Sequence, residues 1–321
     1  MHYPKTAKIV LASLTMMSSS AINAAQNQHE ITVKQETTSV KLISDVVYSQ
    51  VSVRGYPNVA LKMDILQPEA KTALPVVLFI TGGGFVNANK DNYLQQRLNI
   101  AEAGYVVASM EYRIAPIVLF PSPLEDVKSA IRYLRANAKK FGIDGQHAAV
   151  FGASAGGYLA AFAGTTNGSK AYDKGDHLDQ SSDVQAVIDF YGLSDLTLVG
   201  EGFPDDVVQK HASPSATEAI WVNGTAVFDE GGAITRYPDK AAAANPINFI
   251  SSATPPFLIM HGTNDTSVSP RQTERLHQAL TAKNIESTYY SVKGAEHGGP
   301  HWLQPEIMQI TVRFLDKHLK P

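Results

Sequence analysis

Short continuous apolar runs punctuate the chain, and segments of helical spacing lie between them. Pro75–Ile80, Tyr105–Met110, Ala148–Phe151, Val184–Tyr191 and Phe257–Met260 are such runs, rich in Val, Ile and Phe. Runs of this length without polar alternation suit strands buried on both faces of a sheet. Ser287–Val292 reads as one more strand. Helical spacing is seen in Tyr93–Ala103, which stops at Gly104, and in Leu124–Ala138, opened by Pro121-Ser122-Pro123 with Glu125 and Asp126 in its first turn. It recurs in Gly157–Ala163, Pro270–Ala282 and Ile307–Leu319. Strand and helix therefore alternate from about residue 75 to the end, which predicts an α/β fold with a mostly parallel central sheet flanked by helices. Val46–Val51 and Val59–Leu66 read as a hairpin-linked pair at an antiparallel edge, turning at Gly55-Tyr56-Pro57-Asn58. Residues 26–45 are polar and read as a loose lead-in.

Two segments depart from this rhythm. Residues 1–25 carry Lys5 and Lys8, a short apolar stretch Ile9–Met17, and small residues up to Ala24 and Ala25. That is the pattern of a secretory signal peptide cut after Ala24 or Ala25. Residues 196–250 hold Gly, Pro and Asp clusters with Phe203, Trp221, Phe228 and Tyr237 among them. A connection this long with no sheet strand of its own reads as a small lid or cap inserted in one domain spanning 26–321. About half of its aromatics are expected to anchor the insertion in a core.

Composition narrows the function. With 44% hydrophobic and 18% charged residues the chain is an ordinary globular one. Its formal charge is −3 and no basic block exists, which disfavours a nucleic-acid partner. After cleavage at Ala24 the balance is 25 basic against 30 acidic residues, a charge of −5. Cysteine is absent, so disulfides, thiol catalysis and Cys-ligated metals are excluded. No apolar run reaches the ~18 residues a membrane span needs. The asparagines in Asn167-Gly168-Ser169, Asn223-Gly224-Thr225 and Asn264-Asp265-Thr266 match a glycosylation pattern by chance, since nothing else points to a eukaryotic route.

Gly152-Ala153-Ser154-Ala155-Gly156 sits between a buried strand and a helix. This is the G-x-S-x-G turn, in which a sharp strand-to-helix reversal pushes out a nucleophilic hydroxyl. The Ala155 N–H would lie beside it at a helix N-terminus. Thr81-Gly82-Gly83-Gly84-Phe85 follows an earlier strand directly, and its N–H groups, with that of Ala155, would form an oxyanion hole. Asp265 and His297 each follow a later strand, 111 residues after Ser154 and 32 residues after Asp265. The order Ser, acid, His is the order this turn demands. His297 would take the serine proton and Asp265 would hold its ring. Asp195 is a rival acid. His261, at a strand end before a turn, reads as structural, and His301 lies outside the glycine-flanked loop. The remaining histidines have no ligand spacing, so neither metal nor cofactor is expected.

These residues together resemble the α/β-hydrolase fold, and within it carboxylesterases similar to hormone-sensitive lipase and to bacterial feruloyl and acetylxylan esterases. The resemblance runs from about Val59 to Leu319. It takes in Ala60–Ile65, the triple glycine, Tyr112-Arg113-Ile114-Ala115-Pro116, the serine turn, Tyr191-Gly192-Leu193-Ser194-Asp195, and the Asp265 and His297 loops. The family usually places His before the glycines, where this chain has Thr81. What the resemblance implies is a serine esterase; the pattern of residues 1–25 adds export to the periplasm or the medium. The substrate would be a small-molecule or polysaccharide-linked ester, with Ser154, Asp265 and His297 catalytic and Gly83, Gly84 and Ala155 as oxyanion donors. Peptidase, thioesterase or lactonase chemistry, or a non-catalytic binding protein on the same scaffold, are the alternatives.

Overall fold

A computed structural model describes residues 29–34 and 37–320. The chain divides into a short unit ending at Glu36 and a body Thr37–Pro321; residues 29–34 of the former carry no helix or strand. The segment read as a signal peptide, 1–25, lies outside the described residues.

Eight strands form one sheet in the order β1-β2-β4-β3-β5-β6-β7-β8. They are β1 (Val40–Val53), β2 (Tyr56–Pro68), β3 (Leu74–Ile80), β4 (Val106–Met110), β5 (Ile143–Ala153), β6 (Ala186–Phe190), β7 (Phe257–Gly262) and β8 (Ser287–Val292). β1 pairs antiparallel with β2, and β2 with β4; every later pairing is parallel. The fold class expected from the sequence is the one observed. The edge strand begins earlier than the sequence suggested, since Val40–Asp45 belong to β1 rather than to a loose lead-in. The hairpin also turns more tightly: Val53 pairs with Tyr56, so the turn is Arg54-Gly55, with Gly55 at φ 81°. Pro57, which has no N–H for the ladder, sits beside an irregularity in the register.

The central strands alternate between two cores. Val77, Phe79, Phe151, Ile188 and Met260 face helices α1 (Leu94–Glu102) and α9 (Pro305–Leu319). Val76, Leu78, Ile80, Val150 and Ile259 face the other side, which packs against α2 (Ser122–Ala136), α4 (Ala155–Thr165) and α8 (Pro270–Ala282). The expected helix 124–138 breaks at Asn137 and continues as the short α3 (Ala138–Phe141). α4 is buried along its whole length, which its run of Ala and Gly permits.

Residues 196–250 add no strand to the sheet; they fold as α5 (Asp205–His211), α6 (Thr217–Asn223), α7 (Pro238–Ala243) and short 3-10 turns. The two ends of the insertion are joined to each other, Leu196 N–H donating to Asn245 Oδ1 at 2.8 Å, and the body holds it through the Tyr158 hydroxyl, which donates to Ala244 O at 2.7 Å. Phe120 N–H donates to Trp221 O at 3.0 Å. Of its five aromatics only Trp221 is fully buried, stacked on Phe85 at 4.7 Å; Phe228 is fully exposed, and Phe203, Tyr237 and Phe249 are half-buried.

Candidate active site

Four parallel strands, β3, β5, β7 and β8, end at one edge of the sheet, where open α/β sheets bind ligands. β5 delivers Ser154, which begins α4 with φ 57° and ψ −123°. A serine with positive φ is strained. Ser154 is held there by its N–H on Phe190 O at 2.9 Å and by the Tyr158 N–H on its own carbonyl at 3.0 Å. Gly152 and Gly156 are required by close approach: a Cβ on Gly152 would collide with the Gly156 carbonyl, and one on Gly156 with the Ile80 carbonyl. Strand, turn and helix can pack this tightly only without those side chains.

β8 delivers His297 on a loop pinned by the Trp302 indole N–H, which donates to Glu296 O at 2.9 Å. The His297 ring lies 4.8 Å from that of Tyr191, which leans in turn on Trp302 at 4.6 Å. Tyr191 is itself at φ 45°, a second strained residue beside the serine. β7 delivers Asp265, whose side chain is wholly buried.

The three side chains meet. His297 Nε2 is 2.8 Å from Ser154 Oγ, and His297 Nδ1 is 2.6 Å from Asp265 Oδ2. A carboxylate only accepts, so Nδ1 carries the proton and the Nε2 lone pair faces the serine hydroxyl. Ser154 is nearly buried, whereas the His297 side chain keeps 21% of its surface exposed, enough to meet a ligand. Burial by itself would raise the Asp265 carboxyl. Hydrogen bonds from His261 and His297, the His297 charge and the Val268 N–H outweigh it and hold the carboxyl well below the usual carboxylate range.

Gly83 and Gly84 lie on the loop after β3, where Gly83 O accepts from Val86 and Asn87 N–H, both at 3.1 Å. Among the described residues, the N–H groups of Gly83, Gly84 and Ala155 donate to no protein acceptor. Thr81, where the resembling family has His, is fully buried; its carbonyl accepts from the Tyr112 hydroxyl at 2.9 Å. The backbone of the loop is thus held without that His.

Asp195, the rival acid, is elsewhere engaged. Its Oδ1 accepts from Thr197 N–H at 3.0 Å, the Thr197 hydroxyl at 2.6 Å and Asn245 Nδ2 at 2.9 Å, tying down the insertion. His301 is exposed on a 3-10 turn. His261, read as structural, is buried at the end of β7; what sequence reasoning missed is its contact with the acid, Nε2 lying 3.1 Å from Asp265 Oδ2. Its offset of four residues from the acid was the available signal. Among the described residues no group of three His, Asp or Glu is arranged to hold a metal ion, and no helix is long and apolar enough to cross a membrane.

The BD-FAE family model matches residues 63–280, two thirds of the chain. A curated relative is Esterase LipC of Mycobacterium tuberculosis, 32% identical over 228 residues, covering 70% of this chain and 53% of the relative. The probable carboxylic ester hydrolase LipM of the same organism is 27% identical, covering 68% of this chain and 47% of the relative. The chain thus spans about half the length of the curated relatives it matches. Among solved structures, a truncated carbohydrate esterase from gut microbiota superposes with TM-score 0.74 at 27% identity, covering 90% of this chain and 99% of the other. A Thermogutta terrifontis esterase superposes with TM-score 0.65 at 25% identity, covering 88% and 94%.

Proposed function

The chain belongs to the BD-FAE family of α/β-hydrolase-fold proteins, and from that membership we propose that it is a serine carboxylesterase. One observation carries the reading: the hydrogen-bonded chain Ser154–His297–Asp265, at 2.8 and 2.6 Å, built on a strained serine beside unpaired backbone N–H groups. In the proposed reaction Ser154 Oγ attacks the ester carbonyl carbon as its proton passes to His297 Nε2. Gly83, Gly84 and Ala155 donate to the oxyanion that forms. The intermediate collapses when His297 returns the proton to the leaving alkoxide, which departs as an alcohol and leaves an acyl group on Ser154. Water, deprotonated by His297, then attacks the acyl carbon, and the bond to Ser154 Oγ breaks as His297 returns the proton to that oxygen, releasing the acid. Asp265 stays ionised throughout, fixing the imidazole tautomer and balancing the imidazolium.

The proposed substrates are short-chain acyl esters or acylated plant polysaccharides, and the proposed place of action is outside the cytoplasm. The carbohydrate-esterase neighbour supports the substrate class, and the pattern of residues 1–25 supports export. The test is a ladder of p-nitrophenyl esters of increasing acyl length, run beside acetylated xylan and methyl ferulate. Turnover of short acyl or carbohydrate esters is expected. Preference for long acyl chains, or for amides over esters, would contradict the reading.

A further inference from the structure

We infer that His261 is a positioning residue for the acid of the triad, which gives Asp265 two histidine partners rather than one; the inference rests on the serine-hydrolase reading above.

Asp265 is a buried carboxylate held on both of its oxygens. Oδ1 accepts from the Ser267 and Val268 N–H groups at 2.8 and 2.9 Å. Oδ2 receives His297 Nδ1 at 2.6 Å and His261 Nε2 at 3.1 Å. Three hydrogen bonds and the contact of His261, whose Nε2 also meets Val268 O at 3.0 Å, surround the carboxylate. The two backbone donors hold Oδ1, and His261 meets Oδ2 together with His297.

The proton on His261 Nε2 follows from its surroundings. Nε2 faces only acceptors, Asp265 Oδ2 and Val268 O, the latter at 3.0 Å. It must therefore be the donor. Nδ1 lies 2.7 Å from the Thr273 hydroxyl, which also reaches Pro270 O at 3.1 Å. That hydroxyl can donate to Nδ1, leaving His261 neutral, or to Pro270, leaving it an imidazolium. Nε2 carries hydrogen in both arrangements. The His261 side chain is wholly shielded from solvent, so it cannot itself meet a substrate. Its effect has to pass through Asp265. Thr273 anchors the ring from α8, so β7, α8 and the 265–268 turn jointly set the direction of the carboxylate that aims His297.

A second donor on Oδ2 matters for chemistry because the acid must stay ionised and correctly aimed as His297 becomes positive. Loss of His261 should lower kcat while KM stays put, since the oxyanion loop and the exposed part of the site are untouched. The test compares His261→Phe, which fills the space without a donor, with His261→Gln, whose amide N–H stands in for Nε2–H. Kinetics are normalised to active sites counted by a phosphonate. His261→Phe should lower kcat and the phosphonate labelling rate together by at least tenfold at unchanged KM, and His261→Gln should restore most of both. Equal kcat in both variants, or a loss of melting temperature with kcat kept, would overturn the inference and leave His261 a packing residue. If His261→Phe does not fold, Thr273→Val decides, because it keeps the histidine and removes its anchor: a severalfold fall in kcat supports the inference and an unchanged kcat overturns it. Ser154→Ala separates the two readings. An inactive Ser154→Ala with a fully active His261→Phe removes only the present inference, whereas an active Ser154→Ala removes the serine mechanism beneath it.

Discussion

Asp189 is a buried carboxyl, the second-last residue of β6, behind the Ser154 turn. It pairs in register with Gly152, and Gly157 of α4 packs on its Oδ1. Its Oδ1 accepts from Gly192 N–H at 2.9 Å, while Oδ2 has no partner. Burial pushes its pKa up from 3.8 to about 7, only partly opposed by that N–H. Displacement by that much corresponds to about 4 kcal/mol between the two protonation states. The raised value makes the folded state the stronger proton binder. Below the unfolded value Asp189 therefore costs nothing, and the penalty grows as pH rises from 3.8 to about 7, above which it is complete. Asp189→Asn keeps the shape and removes the titration. Its amide also lacks one partner, but that cost is the same at every pH and cancels in a comparison. The stability of Asp189→Asn relative to the parent should therefore rise by about 3 kcal/mol between about pH 5 and about pH 8.5. With a urea slope of about 3 kcal/mol/M for a chain of this size, the relative midpoint shifts by about 1 M. The assay is paired urea unfolding at the two pH values, followed by tryptophan fluorescence. A difference between variant and parent that does not change with pH would show that Asp189 is not held neutral in the fold.

The other expectations concern the site. Asp265→Asn should lower kcat by roughly 10³–10⁴-fold, because an amide no longer enforces the right imidazole tautomer; Asp195→Asn should stay within a few fold, and the reverse ranking in a p-nitrophenyl acetate assay would move the acid. The depressed Asp265 carboxyl contributes stability that is present above its ordinary 3.8 and is lost as pH falls toward its folded value. The destabilisation of Asp265→Asn should accordingly shrink in melts taken below about pH 4. EDTA should leave the rate unchanged, and loss restored by zinc would point to a different chemistry. Expressed with its own N-terminus in a bacterium, the chain should be recovered from periplasm or medium with an intact mass that begins after Ala24 or Ala25; a full-length cytoplasmic product would contradict export.

Some features were legible because one local rule decided them. The start of Pro270–Ala282 is marked by Ser269, which caps Arg271 N–H, and by Pro270 at the first helical position. The buried runs of β3, β4, β6 and β7 needed only their length and apolarity. Ser154, Asp265 and His297 were found because each stands just past a strand that ends at the same edge. What stayed hidden depended on contacts across the fold. β1 is an edge strand with many exposed positions, so Val40–Asp45 read as loop. α5, α6 and α7 are six or seven residues long, too short for a periodicity to emerge. The partner of His261 was invisible because the turn that folds Asp265 back onto it has no signature beyond spacing. Trp221 and Phe228 have the same kind of neighbours in sequence and opposite burial, decided by the arrival of Phe85 over one of them.

The claim that everything else rests on is that Ser154 is the nucleophile. Its most direct test is intact and peptide mass after reaction with a serine-directed phosphonate, titrated against remaining esterase activity. The account predicts a single adduct on the peptide bearing Ser154, activity falling in proportion to the fraction labelled, and neither label nor turnover in Ser154→Ala, with a loss of ~10³-fold or more. An adduct on another residue, or Ser154→Ala activity within about tenfold of the parent, would contradict it.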